Sequence, residues 1–252
     1  IRLAHAYADA IGAVLDRVTG GRETVDLVGA HGQTIWHMPS REHRGGPEAE
    51  GGSYQLLNLS VLAQRLGIPV VGDFRSADLA VGGEGAPLVP YYDYVTFQHA
   101  RHNRLLLNLG GIANITVLPA AGDRDAVHAF DTGPANMVID QLVQRLFDQP
   151  FDPSGSLAAQ GSWDAALLDT LLSHPYFDQA PPKSTGREQF GASYVDELLS
   201  TARARGLSSH DILATATRLT AASIHDAVDR WADVRPSALH EVIVGGGGWH
   251  NR

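Results

Sequence analysis

The 252-residue chain contains no cysteine. A disulfide scaffold, a thiolate zinc site and a cysteine nucleophile are therefore excluded. A reducing cytoplasm fits, and is the expected compartment. Positive charge is also scarce: 19 Lys and Arg stand against 28 Asp and Glu, giving a net charge of -9 with His neutral. That sign disfavours broad electrostatic binding to DNA, RNA or anionic lipid. Nucleic acid and membrane are thus not expected partners. Phosphorylated small molecules stay open, because backbone N–H groups and a metal ion hold phosphate without changing net charge. No apolar run approaches the ~18 residues that span a bilayer. No basic segment followed by an apolar one marks a signal peptide.

What is present is globular: 44% hydrophobic and 19% charged residues, enough for a sizeable core. The chain opens at Ile1 in a helix-like pattern and stops soon after "VGGGG". It is expected to be a piece of a longer protein, incomplete at both ends.

Apolar spacing predicts a helix over 3–18, then a buried strand and a polar turn in "VDLVGAHGQTI". Residues 40–53 read as a solvated Gly-rich loop, 60–66 as a short helix, and "IPVVGDF" as a strand ending at Asp73. "LAVGGEGAPLVPYYDY" is punctuated by Gly and Pro and reads as irregular. "RLLLNLGGIANITVL" carries a hairpin signal, and "AVHAF" is the next strand. "PANMVIDQLVQRLFD" reads as a helix with Pro134 in its first turn. Helices are also expected over about 163–174, 193–203 and 211–232, the last capped by Ser209 or Asp211. A long loop separates the first two, and "HEVIVGGGG" closes with a strand and a glycine turn. Strands and helices alternate, which argues an α/β fold.

Three glycine turns follow strands: "NLGGIAN" (108–114), "FDTGPAN" (130–136) and "VGGGG" (244–248). Such turns let backbone approach a ligand and form nests for phosphate oxygens. Equally, each can be a plain tight turn. None matches the P-loop or dinucleotide fingerprints. Asp131 lies at the seam before a helix, where it can be a helix cap, a metal ligand or a catalytic base. In "HGQTIWH", His31 and His37 lack a third ligand nearby, so a metal site is a poor fit. Gln33 and Thr34 better suit hydroxyl recognition. "GDFRSAD" places Asp73, Arg75 and Asp78 together, either as a local ion pair or as ligand contacts. "PPKSTGREQFG" gathers Lys183, Ser184, Thr185 and Arg187 in a loop that either meets an anion or is simply solvated.

"GAHGQTI", "GDFRSADLAVGGEGAPLVP", "LNLGGIANIT", "FDTGPANMVID", "PPKSTGREQF" and "VGGGGWHN" occur in an order that resembles the anhydro-N-acetylmuramic acid kinases. The resemblance runs from about Val25 to the end. It implies an actin-like fold of two ribonuclease-H-like α/β domains around a nucleotide cleft. Residues 1–100 would be the remainder of the first domain, and 101–252 a truncated second. It implies a step of peptidoglycan recycling: ATP and water convert 1,6-anhydro-N-acetylmuramic acid to N-acetylmuramic acid 6-phosphate, with Mg²⁺ accompanying ATP. Asp131 matches the family's water-activating base. Asn108, Gly110, Gly111 and Asn114 match a phosphate loop, and Gly245, Gly246 and Gly247 the adenosine-side turn. Thr34 matches a sugar-contacting position, and Gln33, Arg75 and Asp78 are candidates beside it. No side chain is assigned to a metal. The family also suggests a homodimer.

Departures accompany the resemblance. A first phosphate loop, rich in Gly, Thr and Ser, and a further sugar-contacting acid are not within these residues, so the chain alone is expected to be a weak kinase. Ser76 and Ala77 stand where many relatives carry arginines, and Trp36 where some do. Two other readings therefore stay alongside: a non-catalytic sugar- or nucleotide-binding relative, and an actin-like kinase for a different sugar.

Overall fold

A computed structural model describes residues 1–17, 24–38, 52–83, 85–232 and 234–251. The chain divides into two compact units, Ile1–Gly85 and Ala86–Arg252.

In the first unit, α1 (Arg2–Leu15) buries Ala4, Ala8, Gly12 and Leu15, one stripe at three- and four-residue intervals. That stripe packs with Leu62 and Leu66 of α2 (Leu59–Leu66), and with Ala30 and Ile68. Asn58 caps α2 by accepting the Val61 N–H at 2.9 Å, and Gly67 ends it at φ 69. The two expected strands shrink to a parallel pair of two residues each, β1 (Val28–Gly29) and β4 (Val70–Val71). The expected polar turn at Gln33–Ile35 is instead strand. β2 (Gln33–Met38) pairs antiparallel with β3 (Gly52–Leu56), with a register shift between Thr34 and Trp36. Most of the expected 40–53 loop lies outside the described residues, and its last two positions open β3. A short α3 (Ser76–Ala80) follows.

The second unit begins with α4 (Pro90–Phe97). The irregular stretch expected there ends in a regular helix, because Pro90 sits at the first helical position, where a missing N–H costs nothing. A four-stranded sheet follows in the order β7-β6-β5-β8. Its strands are β5 (Arg104–Leu109), β6 (Ile112–Leu118), β7 (His128–Pro134) and β8 (Glu241–Gly245). The β5–β6 hairpin forms as expected, β6 and β7 are antiparallel, and β5 and β8 run parallel. The expected strand "AVHAF" continues through Asp131 to Pro134, so Pro134 closes a strand rather than opening a helix.

Helix α5 (Asn136–Phe147) begins after Ala135 with no side-chain cap. Its first donors go to the hairpin turn instead. The N–H groups of Ala135 and Met137 donate to the Gly111 carbonyl, and that of Asn136 to the Gly110 carbonyl, at 3.0–3.1 Å. Orphan amides of a helix start are thereby satisfied by main chain.

Helices α6 (Ala165–Leu172), α8 (Ala192–Ala204) and α9 (Ser209–Trp231) complete the unit. Ser208 caps α9, and Asp211 is its capping-box partner rather than the cap. The expected loop between α6 and α8 contains a 3₁₀ turn, Pro175–Asp178, and a one-turn α7 (Arg187–Phe190). One core joins Leu105, Ile115, Val117 and Phe130 of the sheet to Ala227 and Val228 of α9. A second fills the space among α5, α6, α8 and α9 around Tyr176, Phe177 and Phe190.

Candidate functional site

The sheet of the second unit gathers the glycine turns. β5 and β8 are parallel, so "NLGG" and "VGGGG" leave from the same end of the sheet. β7, antiparallel to β6, runs the same way and delivers Gly133 to that end too. Register then puts four of the expected residues in one line. Asn108 faces Gly245 on one side and Asn114 on the other, and Asn114 faces Asp131. At ~4.8 Å per strand this row is about 14 Å long. Gly245 and Asn108 are exposed, Asn114 is half-buried and Asp131 is only 6% exposed. The row thus runs from open backbone to a secluded carboxylate.

The turns at this end press on one another. Gly246 has φ 89, and a Cβ there would lie 2.6 Å from the carbonyl of Leu109. A Cβ on Gly248 would lie 2.8 Å from the Leu109 Cβ. Asn136 donates from Nδ2 to the Leu109 carbonyl at 3.2 Å, tying the start of α5 to the same place. Gly245, by contrast, has open space where its side chain would be, and a Cβ on Gly111 would meet only Met137, at 3.6 Å. Such a surface admits close approach of a ligand to main chain. Asn136 is a site residue that was not singled out from the sequence, although it closes the motif "FDTGPAN".

Asp131 is aimed by a bulge. Ala113 pairs with Gly133 and Asn114 with Asp131, which leaves Thr132 as the extra residue. Thr132 Oγ1 donates to the Ala113 carbonyl at 3.2 Å. Gly133 adopts φ 150, and a Cβ there would sit 2.7 Å from Phe177 Cε1. Asp131 is therefore no helix cap: it lies inside β7, and α5 is capped by the glycine turn.

The "KST" segment, for which a solvated loop was one expectation, is buried against Asp131. Lys183, Ser184 and Thr185 are each 5–6% exposed. The Asp131 N–H donates to the Lys183 carbonyl at 3.2 Å, and the Thr185 N–H donates to Asp131 Oδ2 at 3.0 Å. Tyr176 Oη donates to the Asp131 carbonyl at 2.7 Å. Lys183 Nζ donates to the Tyr176 carbonyl at 3.2 Å and lies 4.7 Å from the centre of the Tyr176 ring. Burial pulls the Lys183 ammonium down to about 8, with Arg230 adding to the fall, against the opposing pull of Asp226, Asp178 and Asp131. Arg187, on α7, is exposed.

The first unit holds the other candidates. Arg75 donates from Nε to His31 Nε2 at 3.0 Å and from Nη1 to the Gly85 carbonyl at 2.5 Å. Asp78 Oδ2 accepts the Gly85 N–H at 2.7 Å. Arg75 and Asp78 thus hold the glycine loop after α3 from two sides. Ser76 Oγ donates to Asp73 Oδ1 at 2.5 Å. Thr34 Oγ1 accepts a long bond of 3.4 Å from Gln55 Nε2, and Gln33 is exposed, its amide meeting the Thr34 carbonyl at 3.2 Å. His37 is half-buried, with Nδ1 2.8 Å from Ser53 Oγ. Burial, and then Arg75, lowers its titration to about 4. Among the described residues no three His, Asp or Glu side chains group to hold a metal ion, and no helix is long and apolar enough to cross a membrane.

Known proteins are similar in sequence over nearly the whole of this chain. A curated relative from Salinibacter ruber, named anhydro-N-acetylmuramic acid kinase, is 56% identical over 251 residues, covering 99% of this chain and 62% of the relative. Two relatives of the same name from Bacillus cereus strains are 42% and 41% identical, covering 99% and 100% of this chain and 62% and 64% of their own length. The chain therefore spans a little under two thirds of the curated relatives it matches. A solved structure, the Lmo2764 protein of Listeria monocytogenes, covers 95% of this chain and 71% of its own at 13% identity, with a TM-score of 0.25, too low to bear on the fold. The sequence profile of the anhydro-N-acetylmuramic acid kinases matches residues 1–252 throughout, and the chain belongs to that family.

Proposed function

We propose that the protein carrying this chain is an ATP-dependent kinase of peptidoglycan recycling. It would convert 1,6-anhydro-N-acetylmuramic acid and water to N-acetylmuramic acid 6-phosphate. The observation that supports this most is the row Gly245–Asn108–Asn114–Asp131, which joins open glycine turns to a secluded carboxylate. In this reading the turns at Gly110–Gly111 and Gly245–Gly247 hold the nucleotide through main-chain groups. Asp131 accepts a proton from water as that water adds to the anomeric carbon. The bond from that carbon to the bridging oxygen breaks, and the oxygen takes the terminal phosphoryl group of ATP. Mg²⁺ would supply charge neutralisation on the phosphates. It would arrive with the nucleotide phosphates.

Thr34, Gln33, Arg75 and Asp78 are the proposed sugar-side residues. Their polar groups suit hydroxyls and a carboxylate, although Arg75 and Asp78 also brace the loop ending at Gly85. The wider reading includes an actin-like pair of domains and a cytoplasmic, dimeric enzyme, supported by family membership and by the α/β content of both units.

Turnover in ¹⁸O-water tests the reaction. The sugar phosphate should carry ¹⁸O in its anomeric hydroxyl, and ADP should form in equal amount. Label appearing only in inorganic phosphate, or no sugar phosphate at all, would overturn the proposal.

A further inference from the structure

Asp131 is held by more than its own strand. Three groups from one distant segment reach it: the Tyr176 hydroxyl at its carbonyl, the Lys183 carbonyl at its N–H, and the Thr185 N–H at Oδ2. The Lys183 ammonium closes this arrangement by binding the Tyr176 carbonyl and lying over the Tyr176 and Phe130 rings at 4.7 and 6.0 Å. Phe130 is the residue before Asp131 and is fully buried. Thr185 is itself fixed through its hydroxyl, which donates to Gln189 Oε1 at 2.5 Å.

A buried ammonium is an expensive way to fill space. Desolvation opposes it, and apolar side chains of similar volume often do better. Stability alone therefore does not account for Lys183. Four charged groups surround the ammonium: Asp131 from β7, Asp178 from the 3₁₀ turn, and Asp226 and Arg230 from α9. Arg230 is tied to both Asp178 and Asp226 at 2.8 Å. Asp226 acts on the ammonium most strongly of these and Asp131 most weakly, and Asp131 is the one that lies on the proposed reaction path.

We propose that Tyr176 and Lys183 are positioning residues for Asp131, fixing the main chain on both sides of its carboxylate and keeping a cation in its neighbourhood. This rests on the reading of Asp131 as the base. Neither side chain touches substrate in this scheme. Both act through Asp131, so they should govern the rate of the bound complex rather than substrate affinity.

The test uses the full gene product with Tyr176→Phe and Lys183→Met. Both variants should lower kcat about tenfold while KM for ATP and for the anhydrosugar stays within about twofold. Lys183→Met should melt no lower than wild type at pH 7, because it removes a buried charge. The acid limb of its kcat profile should also move to higher pH, since the cation that favours ionised Asp131 is gone. A kcat within twofold of wild type in both variants, or a loss of rate that simply follows a lower melting temperature, overturns the proposal. Wild-type turnover reports on the reaction itself. Should wild type fail to turn over, the Asp131 carboxyl can be followed directly by ¹³C NMR, assigned by its loss in Asp131→Asn. An unchanged Asp131 titration in Lys183→Met would then overturn the positioning role alone.

Discussion

Gly133 and Phe177 meet so closely that a single methyl group cannot come between them. A Cβ on Gly133 would stand 2.7 Å from Phe177 Cε1 and 3.3 Å from Ser223 Oγ, at φ 150. The contact lies two residues from Asp131, on the strand that carries it.

Gly133→Ala should therefore destabilise the second unit by about 1–3 kcal/mol, from overpacking and backbone strain together. Urea denaturation measures it. Turnover should fall as well, because a strand shift that relieves the clash also moves Asp131. A variant as stable as wild type would show that Phe177 yields freely.

Asp131→Asn should keep its fold, since an amide oxygen can still accept the Thr185 N–H. Turnover should drop by about 10²–10⁴, the usual range for a lost general base. Nucleotide affinity, measured by calorimetry, should stay within about twofold, because the glycine turns that would hold the nucleotide are untouched. A tenfold loss of ATP affinity would instead place Asp131 among the phosphate contacts.

Gly246→Ala acts at the other end of the row. Its Cβ would lie 2.6 Å from the Leu109 carbonyl, and its φ is 89. At φ 89 and ψ 166 the backbone is in a region essentially confined to glycine, where an alanine costs about 1–3 kcal/mol, so the two turns should separate and ATP affinity should fall about tenfold. KM for the sugar should hold, since its proposed contacts are on the first unit.

His37 should add to the acid sensitivity of the first unit. Its folded titration lies near 4, against 6.5 for a free histidine, owing to burial and then to Arg75. The unfolded chain takes up the proton first, so the stabilising contribution is complete above 6.5 and is lost as pH falls from there toward 4. Urea midpoints across that window should decline, and His37→Gln should flatten the decline. An equal slope in both proteins would assign the acid sensitivity elsewhere.

The hairpin and the glycine turns were legible because their signals are local. "LNLGGIANIT" contains both strands and the turn between them, and β5–β6 form as read. The strand–helix boundary at Asp131 was not legible for a local reason. Proline suits the end of an edge strand as well as the start of a helix, and Pro134 closes the edge strand β7. The role of "KST" was hidden for a nonlocal one. Its hydrogen-bond partner is 54 positions away, so a solvated loop stayed open beside an anion contact for three polar residues that are buried. Gln33–Ile35 looked like a turn for a similar reason, since the strand that pairs with it begins only at Gly52.

Because the carbonyls of Gly110 and Gly111 receive the first amides of α5, that turn has no independent freedom. Displacing it would break three main-chain hydrogen bonds or carry the twelve-residue helix along. The helix in turn is anchored by Val138, Leu142 and Val143 in the helical core. The loop therefore inherits the stiffness of packed hydrocarbon: a glycine pair, the softest backbone available, behaves here as the tip of a rigid lever.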